Sequence, residues 1–228
     1  MKPAAALRAC AGILAAGALL LVEMDGPGVE VEEDVEVVQA ICAENGASEM
    51  RLARNDDERV LMWKGRKSAF AAMGRISRDY YVQDGVIPRT AISGVLREIS
   101  ELSERYGLRV ANVFHAGDGN LHPLVLFDST REGETEQAEM LAGDILRACV
   151  QAGGSITGEH GVGMDKKKHM GAIFTQDDME TMQLLRCAID PERSMNPGKL
   201  FPTPRLCGER PGIYKPHPLQ EAGLGEIF

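Results

Sequence analysis

Residues 113–125 read VFHAGDGNLHPLV, two apolar runs that each carry a histidine and meet at a Gly-Asp-Gly segment. Apolar runs interrupted by Asp118-Gly119 are a strong hairpin signal, and a hairpin brings an antiparallel sheet into the fold. With the turn centred on that dipeptide, His115 and His122 are expected to face one another across the two strands. Their Cβ atoms would then lie roughly 5 Å apart on one face of the ribbon. Such a pair suits one divalent ion, since zinc takes nitrogen ligands at about 2.0–2.1 Å. The plainer alternative is a polar hairpin with two exposed histidines.

Upstream of the hairpin, Thr90 is expected to cap an amphipathic helix bearing Val95, Leu96, Ile99 and Leu102, with Gly107 just past its end. Tyr80 to Ile87 reads as a strand closed by Pro88. Asn55 with Glu58 resembles a capping box, opening a helix that carries Trp63, Arg66 and Phe70. Residues 49–54 suggest a short strand, and Val31, Val35, Val38 and Cys42 recur at helical spacing before a stop at Gly46. Gly17 to Met24 reads as a buried strand. Downstream, a helix from Glu134 to Ala152 should bury Leu141, Ile145, Leu146 and Cys149. Residues 155–163 form a Gly-rich strand and loop. Thr175 with Asp178 then opens a last helix, which must stop near Ala188 because Asp190-Pro191 follows. This order implies an α+β domain, a largely antiparallel sheet with helices packed on one face. The domain is expected over residues 1–202, with a Pro- and Gly-dense irregular tail over 203–228.

The chain has 228 residues, 44% hydrophobic and 26% charged, enough for a well-buried core and unlike a disordered chain. A net charge of -9 opposes non-specific binding to nucleic acid, because such a surface repels phosphates. Any small anionic ligand would need a local positive site. Five scattered cysteines with no CxxC spacing suggest neither a disulfide framework nor a zinc ribbon, which fits a reducing cytoplasm. Lys2 and Arg8 ahead of the apolar run Ala9 to Val22 imitate a secretory leader, but a folded-core origin is preferred. No transmembrane helix is expected, since charge interrupts the run too soon. No Walker loop or dinucleotide GxGxxG is present.

A second segment, GGSITGEHGVG at Gly153–Gly163, sets an acid beside a histidine among glycines. Neighbours in extended backbone point opposite ways. If Glu159 turns toward the histidine pair, a His, His, carboxylate set with open positions results, which is how catalytic divalent sites are built. His160 would then stand beside the ligand shell, suited to take a proton near neutral pH. A surface turn is the alternative. Lys166 to Lys168 and His169 read as a solvated helix end.

Together HAGDGNLHP and GGSITGEHGVG, with WKGRKSAF upstream and DPERSMNPGKLFP downstream, closely resemble the C-terminal cap domain of FAD-linked oxidases, of the glycolate oxidase and D-lactate dehydrogenase type. The likeness runs from about Ala16 to Pro202. It implies a ferredoxin-like cap with His115, His122 and Glu159 as metal ligands for zinc, manganese or iron, and His160 as the catalytic base. It also implies Arg66 as the arginine that binds the substrate carboxylate and Asn196 as a residue beside the flavin. The implied reaction oxidises a small 2-hydroxy acid, with hydride passing to FAD. The family's FAD-binding half is not among these residues, so the expected partners are an FAD-binding domain or subunit and an iron-sulfur electron-transfer subunit. The expected location is the cytoplasm, or the periphery of the inner membrane through those partners. Val82 and Leu124 stand where 2-hydroxyglutarate-type relatives place a lysine and an asparagine, which favours glycolate or lactate over a dicarboxylate. Rival readings are a non-catalytic metal-binding or interaction module that retains the cap fold, and a zinc hydrolase without the HExxH spacing of zinc proteases.

Overall fold

A computed structural model describes residues 17–202. They fall into two compact units that meet at Ala72 and Met73, and each is described by itself. In the first unit α1 (Gly28–Glu44) starts after Pro27 and ends before Gly46, whose φ is 81°. Helix α2 (Asp56–Lys67) is capped as its sequence suggests, because the Asn55 side chain accepts from the Glu58 N–H at 2.9 Å. The reciprocal bond reaches one residue further back, from the Arg54 N–H to Glu58 Oε2. The helical path breaks at Ser68, so Phe70 belongs to the short α3 (Ala69–Met73) rather than to the helix of Trp63 and Arg66.

The expected strands at 17–24 and 49–54 are not formed. Neither segment has a ladder partner among the described residues. Leu19, Leu20 and Val22 are exposed, so the apolar run that suggested a buried strand is not buried. Apolar composition marks a segment able to pair; the partner strand makes it a strand.

The second unit holds the sheet. Strand β4 (Asn120–Phe127) is central, with β3 (Val110–His115) antiparallel along one edge. The other edge is shared by β1 (Asp79–Val82) and β2 (Gly85–Val86), also antiparallel. The two short strands keep one register against β4, yet the ladder lapses at Gln83 and Asp84. Pro123 is the cause. Its carbonyl accepts from the Gln83 N–H at 3.0 Å, but proline has no N–H to return.

One sheet face is packed by α4 (Ile92–Tyr106) and α5 (Glu134–Gln151). Leu121 and Val125 from β4 meet Val95, Ile99 and Leu102 from α4 and Leu141, Ala142 and Ile145 from α5. Thr90 does not cap α4: a 3-10 turn over Arg89–Ala91 leads into it and no side chain bonds its N-terminus. Gly107, at φ 68°, ends it as expected. A smaller cluster joins Leu146 of α5 to Ile156, Met170 and Met179, the last on α6 (Gln176–Ile189). At the head of α6 Thr175 and Asp178 form a full capping box. The Gly-rich segment after α5 makes one bridge, Ser155 to Val86, rather than a strand. The domain is thus α+β, an antiparallel sheet with helices packed against it.

Two leucines on helices separate packing from mere apolarity. Leu141→Ala should lower unfolding stability by about 2–5 kcal/mol, as for other fully buried leucines. Leu185→Ala, at a position 64% exposed, should change it by less than about 0.5 kcal/mol. Urea denaturation of the two variants checks this, and equal effects would mean that α5 does not form the core.

Candidate metal and catalytic site

The site lies on the sheet face opposite α4 and α5. In the observed register His115 pairs with Asn120 and Val113 with His122, so the two histidines are not directly opposite as expected. The turn takes the four residues 116–119, not the two at its centre, and Gly119 adopts φ 72° to close it. His115 and His122 become diagonal neighbours on one face. Their ring centroids lie 5.6 Å apart, edge to face. Diagonal Cβ atoms sit about 7–8 Å apart in such a pair, which leaves room between two imidazoles for an ion.

The GEHG loop comes to this face. Glu159 Oε1 is 2.8 Å from His122 Nε2 and 3.7 Å from His160 Nε2. The His160 ring stacks on His122 with centroids 5.2 Å apart. His122 is buried, whereas about half of the Glu159 and His160 side chains is exposed, so the cluster opens to one side. Burial lowers the His122 pKa below its ordinary value, partly offset by the charge of Glu159, by the Gln83 backbone and by the charge of Asp84. A neutral imidazole is the form that binds a metal.

The loop must pass very close to the strands. A Cβ on Gly158 would come within 2.6 Å of Val86 Cγ2 and 2.8 Å of Asn120 Oδ1, so a larger residue would force the loop or these two side chains to shift. What draws it in is Asp84, which sequence reasoning missed. Its fully buried carboxylate accepts from Thr157 Oγ1 at 2.8 Å and from the N–H groups of Gly158, Glu159 and His160 at 3.0, 3.2 and 2.9 Å. Lys166, only 4% exposed, adds Nζ at 3.2 Å. The triple-lysine run is therefore not all solvated, and its first member is an interior counter-ion. His169 is likewise half-buried, against Gly143 of α5. Burial pushes the Asp84 pKa up, but the His160 N–H, the Thr157 hydroxyl, the Gly158 N–H and the Lys166 charge outweigh it and hold the group below the carboxylate range. The signal available was an acid at the centre of the strand-like run YYVQDGVI.

Ligand atoms of Asp84, His122, Glu159 and His160 lie within 4.8 Å of one another. His115, expected as a ligand, is not in this group; it touches His122 only through the ring contact. Asn120 Oδ1, on the same face, is buried and accepts no hydrogen bond. Two imidazoles, a carboxylate and an acceptor lacking a donor fit a divalent ion that carries an oxygen ligand. Arg66 lies in the last turn of α2, in the first unit. Asn196 has φ 46° in a loop that Arg186 grips through the carbonyls of Met195, Asn196 and Lys199.

Residues 5–200 match the family described as FAD linked oxidases, C-terminal domain. The chain belongs to that family. This FAD-linked oxidase domain is 52% identical over 202 residues to the glycolate oxidase subunit GlcD of Escherichia coli, covering 89% of this chain and 40% of that protein. GlcD of Bacillus subtilis is 34% identical over 186 residues, 82% of this chain and 40% of the relative. The mitochondrial D-lactate dehydrogenase [cytochrome] of Arabidopsis thaliana is 28% identical over 190 residues, 82% of this chain and 33% of that one. The chain therefore spans about two-fifths or less of these relatives. No helix among the described residues is long and apolar enough to cross a membrane. Among the described residues Cys42 and Cys149 are free.

The depressed Asp84 pKa has a pH signature. Because the folded value lies below the ordinary 3.8, the stability it contributes is complete above that value and is lost as pH falls toward the folded one. Acid unfolding of the wild type should therefore steepen below about pH 4, and Asp84→Asn should flatten that part of the curve. Parallel curves in chemical denaturation from pH 7 to pH 2 would remove Asp84 from the acid-sensitive set.

Proposed function

We propose that this chain is the substrate- and metal-binding part of an FAD-dependent 2-hydroxy-acid oxidoreductase, oxidising glycolate or D-lactate to the 2-oxo acid, and inactive without an FAD-binding domain or subunit. The observation that carries the reading is the convergence of Glu159 on His122 at 2.8 Å with His160 stacked alongside. Membership of the family supports the redox class.

When bound, a divalent ion supplies Lewis acidity to the substrate oxygens and FAD the acceptor for hydride. His115, His122 and Glu159 would hold the ion, with zinc, manganese and iron all compatible with two imidazoles and a carboxylate. His160 takes the proton of the substrate hydroxyl on a ring nitrogen. Its half-exposed position lets it pass that proton to solvent. Arg66 is assigned to the substrate carboxylate on its resemblance to the family motif, a role suited to the planar two-pronged guanidinium. Asn196 is assigned to the flavin side on the same ground. An iron-sulfur subunit that carries electrons onward, and a cytoplasmic or peripheral membrane location, belong to this proposal.

The apolar lining of the sheet supports a small substrate. Val82 pairs directly with Leu124, and Leu124 has no exposure. A second carboxylate brought against this pair would lose its hydration without gaining a donor. A monocarboxylate avoids that cost.

Metal content and turnover separate the roles. Purified His115→Ala, His122→Ala and Glu159→Gln should lose most of the metal that the wild type holds, while His160→Ala keeps it. Recombined with an FAD-binding polypeptide, His160→Ala should reduce flavin about 10²–10⁴ times more slowly. Loss of metal in His160→Ala but not in His115→Ala would exchange their roles. Stoichiometric flavin in the chain purified alone would contradict the division of labour.

A further inference from the structure

Resting on that reading, we propose that Asp84 and Lys166 form a buried charge-paired latch that presents Glu159 and His160 to the ion and substrate, and that Asp84 is a positioning residue rather than a metal ligand.

Asp84 lies near enough to the cluster to suggest a fourth ligand. Its donors point elsewhere. Five groups converge on Oδ2, namely Thr157 Oγ1, the N–H groups of Gly158, Glu159 and His160, and Lys166 Nζ. Oδ1 shares the Glu159 N–H at 3.2 Å. Three successive backbone N–H groups wrapped around an anion form a nest, and the carboxylate that fills it fixes the direction in which each of those residues leaves the backbone. Two of the three are Glu159 and His160. A one-residue shift in such a loop would exchange their sides.

Lys166 completes the arrangement. It bonds both Oδ2 and the backbone carbonyl of Asp84, at 3.2 and 3.3 Å. Its own backbone is held by Val162 O and by the His169 N–H, at the entry to the 3-10 turn of Lys167–Ala172 that seats Met170 in the smaller core. The latch thus ties the loop to the sheet at one end and to the core beneath α5 at the other. A cation already seated on the Asp84 carboxylate also opposes a second cation there.

The two roles predict opposite signs for one variant. If Asp84 were a ligand, Lys166→Met would remove a competing cation and tighten Zn²⁺ binding. As a latch, Lys166→Met and Asp84→Asn should each weaken it, by about 10–100-fold as for other residues that orient metal ligands. The full chain is titrated with Zn²⁺ alone by calorimetry, and amide hydrogen exchange is followed in parallel. Exchange at Gly158, Glu159 and His160 should accelerate at least about tenfold in Asp84→Asn, while amides of β4 stay protected. The double variant Asp84→Asn/Lys166→Met leaves no unpaired buried charge, so it reports the same local exchange if a single variant fails to fold. Unchanged exchange at the three amides, or tighter Zn²⁺ binding by Lys166→Met, would overturn the proposal. Failure of the wild type to bind Zn²⁺ would overturn the metal reading, and the exchange arm would still decide the latch.

Discussion

An ionised carboxylate with no exposure must find inside the protein the donors that water would have supplied, and this requirement at Asp84 organises the site. Isolated, such a group would cost several kcal/mol or would titrate to its neutral form. Here the carboxylate stands between two edge strands and its donors come from the loop and from Lys166 at the entry to the 3-10 turn, so none of these can move without exposing the charge. Pro123 makes the strand's part possible. By silencing one N–H in the central strand it interrupts the ladder at Gln83–Asp84, next to the carboxylate. A continuous edge strand would satisfy its own backbone; an interrupted one leaves room for the GEHG loop to dock.

The two faces of the sheet consequently carry different physics. Leu121 and Val125 point into a core closed by α4 and α5, while Asn120, His122 and Leu124 alternate to the other side. Alternation makes His122 a buried ligand candidate without making it part of the apolar core. It also puts His115, one pair removed along the ribbon, on the same face as His122 without being directly opposite it.

Much of this was legible in sequence, and the gaps have physical causes. The helices α4, α5 and α6 follow from apolar spacing, Gly107 and the Thr175–Asp178 box, because those signals are local. That the GEHG loop would come to the histidine of β4 was legible, because Glu159 and His160 do converge on His122. The register was not, since the spacing of two histidines does not say whether a turn has two residues or four. Asp84 and Lys166 were missed for a related reason: each is ordinary where it stands, and their meaning lies in a contact across 82 residues. The segment Gly17–Met24 failed in the opposite direction. Its pattern is that of a strand, yet no described residue pairs with it.

The loop of Asn196 shows how the same economy works at a second place. Arg193, Asn196 and Leu200 all have positive φ, a region that non-glycine residues enter only under constraint, at roughly 1–3 kcal/mol each. The constraint is visible. Asp190 accepts from the N–H groups of Ser194 and Met195, and Arg186 donates to three carbonyls of the loop from the flank of α6. A relaxed turn would need neither. An acid and an arginine committed to the backbone, rather than to each other alone, hold the loop in one shape and leave the Asn196 side chain out of the clamp. Asp84 does the same for Glu159 and His160. In both places a charged side chain is used on the main chain, so that the loop keeps a single shape.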